Sequence, residues 1–449
     1  MIQDWLSSAA RSDPDRPYVV IDGAVHSFTD VDARASRLAG ALRGAGVVDG
    51  NRVALWARND LPSVVALFAI WRAGASCVLM NTRLTDTEVV EELEEASVSL
   101  MVDDGERAWS VPSISNEAIG PAYTGGAHLG DSECLVVFTS GSAGQGRGVV
   151  LTWANVDAGQ AASAEHLDHT PDDVWLAVLP IFHVGGASIM IRSAARRSAV
   201  VLHDRFEPAL VADSLEQVTI ASFVATQLAA ILDLDERTYD VRAVLVGGGP
   251  AKQTLLDRAH RRGLGVLSTY GMTEAGSQIA TSRVGDPPRR VVAPIPGAEM
   301  RLVNGSEIEV RGPMVTSTYL DSVARLPDGW LATGDLGEVV DDGFRIIGRT
   351  SDVIISGGEN VMADEVKDAL EAIVSVRAAA VVGIPDETWG EVVAAVVEVT
   401  ADVSFDFLSD ELRKTLAGYK IPKVWRTVES LPRTSIGKIR RQAVRNLFS

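Results

Sequence analysis

Residues 138–150, FTSGSAGQGRGVV, combine four glycines, three hydroxyl residues and one arginine, with no acid among them. Glycine lets backbone N–H groups approach an anion closely, hydroxyls donate hydrogen bonds, and Arg147 supplies a fixed positive charge. The segment follows an apolar run at 135–137 that reads as a buried strand. A phosphate cradle fits this chemistry. It is not a Walker A loop, because the Lys-Ser/Thr ending is missing. A flexible polar surface loop fits the same composition, so the segment alone leaves both readings open.

Four further residues could carry chemistry. His183 closes the turn LPIFHVGG. It reads either as a packed core histidine or, with two glycines behind it, as the wall of a ligand pocket. Glu274, in STYGMTEAG, could hold Mg²⁺ together with phosphate oxygens, or could simply be an acid at a helix start. Asp335, in TGDLG, reads as a turn-former or as a carboxylate accepting both hydroxyls of a ribose, with Arg349 downstream to help. Lys438, in LPRTSIGKIRR, is either part of a solvated basic tail or a loop lysine that neutralises charge developing in a phosphoryl-type transition state.

The elements around these residues alternate. Helical periods at 28–48, 61–73, 85–96, 187–195, 208–216 and 254–262 interleave with strand-like runs at 53–56, 77–80, 100–102, 174–179, 199–203, 220–224, 243–246 and 266–269. Several strands end in glycine-bearing turns. In open α/β sheets such turns gather at the carboxyl edge, where ligands bind. From about 288 to 348 helical periods give way to short alternating runs, a small β-rich subdomain. After Arg349 the pattern becomes mixed α+β, with helices near 363–373 and 405–416. The expected organisation is an α/β chain: a large N-terminal domain, 1–350, and a small α+β C-terminal domain, 351–449.

Composition limits the partners. The chain has 449 residues, 46% of them apolar and 22% charged, with a formal charge of −19. That charge repels nucleic acid and anionic membranes, so anionic ligands need local positive sites. Two cysteines, both in apolar runs, give neither a disulfide framework nor a cysteine metal site. No signal-peptide pattern opens the chain, and no apolar run reaches membrane-span length. A cytoplasmic enzyme acting on small molecules is expected, with a homodimer among the expected assemblies.

Seven motifs occur in a telling order: FTSGSAGQGRGVV, LPIFHVGG, VGGGPA, STYGMTE, TGDLG, GRTSDVIISGGENV and LPRTSIGKIRR. Together they resemble the adenylate-forming, AMP-binding enzymes, a superfamily of acyl-CoA synthetases, luciferases and adenylation domains. The likeness runs from about residue 28 to the end. A second set of segments, including NTRLTDTEV, LHDRFEP, FVATQL, YGMTEAGSQIAT and VVGIPDETWGE, resembles the o-succinylbenzoate–CoA ligases of menaquinone synthesis. The resemblance implies ATP, Mg²⁺ and coenzyme A as reactants, and a carboxylic acid turned first into an acyl-adenylate and then into a thioester. It implies that Thr139, Ser140, Gly141, Ser142, Gly144 and Arg147 hold the β- and γ-phosphates. Gly247, Gly248, Gly249, Pro250, Tyr270, Gly271 and Met272 would flank adenine. Thr273 would contact the α-phosphate, Glu274 would hold Mg²⁺, and Asp335 and Arg349 would hold the ribose. His183, Thr226, Gly248, Gly249 and Gln278 would line the acyl pocket. Ser188, Arg192 and Arg205 are candidates for the substrate's second carboxylate, each with a structural alternative. Gly357, Gly358 and Trp389 would lie near coenzyme A, Ser351 would be the hinge, and Lys438 would serve the first half-reaction.

The chain departs from the family pattern inside the loop. Thr-Gly-x-Pro-Lys-Gly becomes Ala143-Gly144-Gln145-Gly146-Arg147-Gly148, which removes a hydroxyl, frees the backbone and changes the cation's geometry. Activity is expected with weaker ATP binding, and Arg147→Lys is expected to leave the rate unchanged or raise it. Two alternatives stay open: adenylation of another aryl or acyl acid or loading of a carrier protein, and a catalytically weakened nucleotide-binding regulator.

Overall fold

The computed structural model describes residues 1–139, 147–323, 327–356, 359–386, 389–400, 403–433 and 439–448. They form two compact units, one of residues 1–300 with 310–331 and the other of 301–309 with 332–449. The β-rich stretch that the sequence pattern groups with the N-terminal part is thus divided between the two units, with 301–309 and 332–348 in the second.

The first unit contains two sheets. The larger has nine strands, in the order Ala293–Pro294, Ser277–Thr281, Leu264–Met272, Val241–Gly247, Ile220–Val224, Val174–Ala177, Ala199–Leu202, Pro17–Ile21 and Ala24–Ser27. The six from Leu264–Met272 to Pro17–Ile21 pair in parallel. The smaller sheet has six strands, Ser113–Ser115, Leu100–Asp103, Arg52–Trp56, Ser76–Met80, Glu133–Thr139 and Arg147–Thr152, and only its last pair is antiparallel. Parallel strands need covering helices on both faces, so their residues are apolar throughout. All five residues of Ser76–Met80 are buried, as are eleven of the twelve in the helix Leu61–Arg72.

Helix starts follow capping chemistry. Thr85, Ser27 and Thr152 each cap a helix and complete a reciprocal pair with Glu88, Asp30 and Asn155. The helix Trp153–His166 and the N-terminal helix Trp5–Ser12 escape the sequence pattern. The latter has too few apolar positions to show a period, but it packs firmly, with Leu6 wholly buried. No helix among the described residues is long and apolar enough to cross a membrane.

The second unit carries a four-stranded sheet, Glu299–Val303, Glu307–Arg311, Leu331–Val340 and Gly343–Arg349. It also carries a five-stranded sheet built on the antiparallel pair Val376–Asp386 and Gly390–Val399, with Val424–Thr427 parallel to the latter. The helices Ala363–Glu371 and Phe405–Arg413 cover that sheet through Val366, Leu370, Leu408 and Leu412.

Arg72 pins the N-terminus to the body of the first unit. Its side chain is only 1% exposed and pairs with Asp4 at 2.9 Å and Asp32 at 2.6 Å, while Ser7 accepts a further bond. Removing one partner of a buried ion pair leaves uncompensated charge, at a cost of about 3–5 kcal/mol. Arg72→Ala is therefore expected to lose about that much stability, read by urea unfolding through the fluorescence of the adjoining Trp5, Trp71 and Trp153 cluster. A loss below about 1 kcal/mol, the range of a surface pair, would show that the triad is solvated.

Candidate active site

Parallel pairing brings the carboxyl ends of Val174–Ala177, Val241–Gly247 and Leu264–Met272 to one edge of the nine-stranded sheet. Beyond the first, residues 178–183 lead into the helix Val184–Arg196, and His183 is its N-cap. The His183 carbonyl accepts from the amides of Gly186 and Ala187, both at 3.0 Å. The helix therefore starts three residues before the expected position, because its glycines do not break it. Gly186 is required by packing, since a Cβ there would lie 2.2 Å from the Pro180 carbonyl oxygen. Phe182 sets its ring edge-on to His183 at 4.7 Å. Thr226 lies in the first turn of the helix Ala225–Leu232, after the strand Ile220–Val224.

Gly247 ends its strand, and Gly248, Gly249 and Pro250 form the turn that follows. Tyr270, Gly271 and Met272 lie within the strand Leu264–Met272, longer than the pattern indicates, and pair antiparallel with Ser277–Thr281. Thr273 and Glu274 occupy the single 3₁₀ turn joining the two strands.

Two antiparallel strands flank the segment read from sequence as a phosphate cradle. Glu133–Thr139 pairs with Arg147–Thr152, with Thr139 opposite Arg147. Ser140, Gly141, Ser142 and Gly144 lie outside the described residues. Residues 316–320 run beside the second strand: Leu320 donates to the Gly148 carbonyl at 2.9 Å, and Val150 to that of Thr318 at 3.0 Å. Gly148 allows this approach, since a Cβ there would sit 2.2 Å from Leu320 Cδ1. The result places Tyr319 under Arg147, whose guanidinium carbon lies 3.7 Å from the ring centroid. Arg147 also donates to Ser322 Oγ at 2.8 Å and lies 3.5 Å from Asp321 Oδ1. On its other side the Tyr319 hydroxyl donates to Glu274 Oε1 at 3.0 Å, and Thr316 donates its amide to the Glu274 carbonyl at 2.7 Å. Burial and then the Glu274 charge push the Tyr319 phenol up to about 12, so it remains a donor at neutral pH.

A small cavity of about 20 Å³, room for about one water molecule, lies between the strands Glu133–Thr139 and Arg147–Thr152 and the helix Val184–Arg196, lined among others by Leu135, Val184, Gln160, Ser188, Arg192 and Gly276. Arg192 is 4% exposed, has no ion pair among the described residues, and lies 5.8 Å from the Trp175 ring centroid. Burial alone lowers its pKa to about 10. Ser188 lines the same cavity and donates to the Gly185 carbonyl at 3.1 Å. Gln278 is committed elsewhere: its amide oxygen accepts from Ser163 at 2.8 Å and its nitrogen donates to Thr281 at 2.6 Å. Arg205 is exposed beside Glu207, 3.6 Å away.

In the second unit Asp335 lies inside the strand Leu331–Val340, not in a turn as expected. Gly334 before it has φ +70° and the register shifts between Leu336 and Gly337, yet Asp335 itself pairs with Arg349 across the ladder. Asp335 is 6% exposed and accepts from Arg349 Nε at 2.6 Å. Ser351 lies in the 3₁₀ turn Thr350–Asp352. Trp389 is 45% exposed, with Lys423 Nζ 3.2 Å from its ring centroid. Gly357, Gly358 and Lys438 lie outside the described residues.

Glu274 fits a magnesium ion that also binds phosphate. It is one half-buried hard-oxygen carboxylate, with Oε1 held by Tyr319 and no donor to Oε2 among the described residues. No group of three acidic, histidine or cysteine side chains forms a metal cage among those residues. Mg²⁺ is commonly held by one or two carboxylates, with phosphate and water completing its shell. The sequence reading missed Tyr319, Ser322 and Thr316. Their signal is faint: one tyrosine in an unpatterned stretch, placed only by a strand distant in sequence.

Comparison with known proteins agrees with this geometry. Residues 6–320 match the model of the AMP-binding enzyme family, and residues 365–438 match that of the AMP-binding enzyme C-terminal domain. The 2-succinylbenzoate–CoA ligase of Bacillus licheniformis is 34% identical, over 98% of both chains. That of Listeria monocytogenes is 33% identical, over 99% of both. The structure of o-succinylbenzoate CoA synthetase (MenE) from Bacillus subtilis in complex with the acyl-adenylate OSB-AMP superposes with a TM-score of 0.92 at 31% identity, over 98% of this chain and 97% of that one. The same enzyme with ATP and magnesium gives 0.90 at 31% identity, over 98% of both. The chain belongs to the AMP-binding enzyme family of adenylate-forming ligases.

Adding a methyl group at Gly186 must push the first turn of the helix off the Pro180 carbonyl. Overpacking of this kind costs about 1–3 kcal/mol. Gly186→Ala is expected to lose that much stability in urea unfolding. An unchanged midpoint would show that the turn yields freely.

Proposed function

We propose that this chain is an ATP-dependent, AMP-forming acid–thiol ligase that converts 2-succinylbenzoate to 2-succinylbenzoyl-CoA in the cytoplasm. In the first half-reaction a substrate carboxylate oxygen attacks the α-phosphorus of ATP. The bond to the bridging oxygen breaks, pyrophosphate leaves, and the acyl-adenylate remains. In the second, the thiol sulfur of coenzyme A attacks the acyl carbon. The thiol proton is lost, the bond to AMP breaks, and the thioester forms.

Each half-reaction assigns work to residues of this chain. Thr139, the loop 140–146 and Arg147 bind the β- and γ-phosphates, which a chain of net charge −19 must do with local donors and cations. Magnesium, when bound, neutralises phosphate charge, and Glu274 is the carboxylate that would hold it. Residues 247–250 and 270–272 flank adenine, Thr273 contacts the α-phosphate, and Asp335 with Arg349 takes the ribose hydroxyls. His183 and Thr226 border the acyl group. Gly357, Gly358 and Trp389 serve coenzyme A. Lys438 neutralises developing charge in adenylation, and Ser351 is the hinge between the two closures. The fixed, stacked geometry of Arg147 revises one expectation. A lysine offers no planar fork to cover Tyr319 and donate to Ser322 together, so Arg147→Lys should weaken ATP binding and lower the rate at limiting ATP, not leave the rate unchanged or raise it.

One observation carries the choice of substrate: Arg192, a buried guanidinium with no described counter-ion, in an otherwise largely apolar cavity. A buried charge is costly until an opposite charge joins it. An aromatic acid with a second carboxylate supplies the anion for Arg192, and its ring is larger than the cavity of about 20 Å³, so the apolar walls must part to admit it. Gln278 borders the acyl group in the same reading, with its amide held by Ser163 and Thr281.

Pyrophosphate release with ATP, Mg²⁺ and 2-succinylbenzoate, compared with benzoate and a medium-chain fatty acid, tests the reading. Selective release with the succinylbenzoate, and a CoA thioester as product, is expected. Release with another acid would overturn the substrate, and transfer to a carrier protein in preference to CoA would overturn the acceptor. No release with any acid would overturn the ligase. Arg192→Met should raise KM for 2-succinylbenzoate about 10- to 150-fold, the worth of a charged hydrogen bond, and leave KM for benzoate unchanged. Lys438→Ala should abolish adenylate formation yet spare thioester formation from pre-made acyl-adenylate. Equal loss of both would assign Lys438 to the fold.

A further inference from the structure

Arg147 and Glu274 carry opposite charges and serve one polyphosphate in the ligase reading, on which this inference rests. Joined directly, they would neutralise each other. No ion pair forms between them among the described residues, because the Tyr319 phenol stands between, stacked on one and hydrogen-bonded to the other. We infer that Tyr319 is a positioning residue for adenylation: its hydroxyl orients the Glu274 carboxylate and its ring seats the Arg147 guanidinium.

The geometry supports a rigid spacer. The backbone on both sides of Tyr319 is fixed without its side chain, since Leu320 bonds to Gly148, Thr318 to Val150, and the Tyr319 amide to the Ser322 carbonyl at 2.8 Å. Thr316 ties the same segment to both partners, through the Glu274 carbonyl at 2.7 Å and the Val150 carbonyl at 2.9 Å. The phenol is therefore held from below, and its hydroxyl has one acceptor, Glu274 Oε1. Donation to Oε1 leaves the Oε2 lone pairs for a cation. The ring face meanwhile carries the guanidinium, its carbon 3.7 Å from the ring centroid, and Ser322 and Asp321 engage its fork. An arginine uses this seat better than the lysine of the family pattern, which gives a physical reason for Arg147 in a loop that has also lost proline.

Three variants test the inference by calorimetric titration with MgATP and with metal-free ATP, and by the Mg²⁺ concentration for half-maximal pyrophosphate release. Tyr319→Phe keeps the ring. It should bind metal-free ATP within about twofold of the parent, yet bind MgATP about tenfold more weakly and need about tenfold more Mg²⁺, since it loses a hydrogen bond to a charged group. Tyr319→Leu loses the ring too, and should also weaken metal-free ATP binding about three- to fivefold. Tyr319→Phe added to Glu274→Gln should cause no further loss of MgATP affinity, because the hydroxyl acts through that carboxylate. A purely structural tyrosine would instead lower both ATP affinities together with the unfolding midpoint, and that result overturns the inference. So does a Tyr319→Phe variant identical to the parent. Parent chain that binds no MgATP would sink the ligase reading and this inference with it, whereas normal parent activity beside an unaffected Tyr319→Phe sinks the inference alone.

Discussion

The site in the first unit depends on parallel strand pairing. A parallel ladder fixes direction as well as neighbours, so every strand in it delivers its carboxyl end to the same edge. Val174–Ala177, Ile220–Val224, Val241–Gly247 and Leu264–Met272 are joined in one such ladder, and each is followed at that edge by residues the ligase reading uses. Their apolar composition is the cost of the arrangement, since both faces must be covered. The polar residues therefore concentrate where the strands stop. Function collects at the edge because the strand interiors leave it no other place.

A second constraint acts across the hairpin of the smaller sheet. A phosphate loop needs donors that are free to meet an anion, so it cannot be held by its own polar groups. The support comes instead from residues 316–320 alongside the strand Arg147–Thr152, and Gly148 sets how closely they approach. That contact turns an isolated cation into one with a defined plane. It also joins the strand Arg147–Thr152 to the turn carrying Glu274, through main-chain bonds that do not depend on side-chain charge. In a strongly acidic chain, charge alone would place Arg147 against whichever carboxylate was nearest. Packing decides which one it meets.

The strands and helices of the α/β body were legible because each buried element repeats one local pattern, apolar throughout for residues 266–267 and the run 53–56 and amphipathic for the helix Phe28–Gly44. The motif residues were legible because their types and order are unusual. What stayed hidden was set by partners distant in sequence. Asp335 reads as a turn residue until the strand Gly343–Arg349 is seen pairing through it. Tyr270 and Met272 read as a turn until Ser277–Thr281 folds back on them. The helix after His183 reads as starting late because glycine is a poor helix former, yet at Gly186 the closeness of the Pro180 carbonyl outweighs propensity. Gln278 matched the resemblance for the acyl pocket, and only the structure reveals Ser163 and Thr281 occupying its amide.

Arg192 raises the remaining energetic question, how the fold tolerates a buried cation with no described counter-ion. Part of the answer is local. The guanidinium is delocalised and weakly hydrated compared with an ammonium, and an aromatic ring, Trp175, lies 5.8 Å away. Burial lowers its pKa only to about 10, so it stays charged at neutral pH. In the ligase reading, the rest is a cost held in the unliganded protein and relieved when the second carboxylate of the substrate enters. Such a site discriminates steeply, because a substrate lacking the anion leaves the charge unpaired, whereas apolar walls alone distinguish similar rings by only about 1–3 kcal/mol per methylene. A helix that must present this cation to the cavity cannot also give it a carboxylate partner of its own. The absence of an acid on Val184–Arg196 is thus as much a part of the site as the arginine it carries.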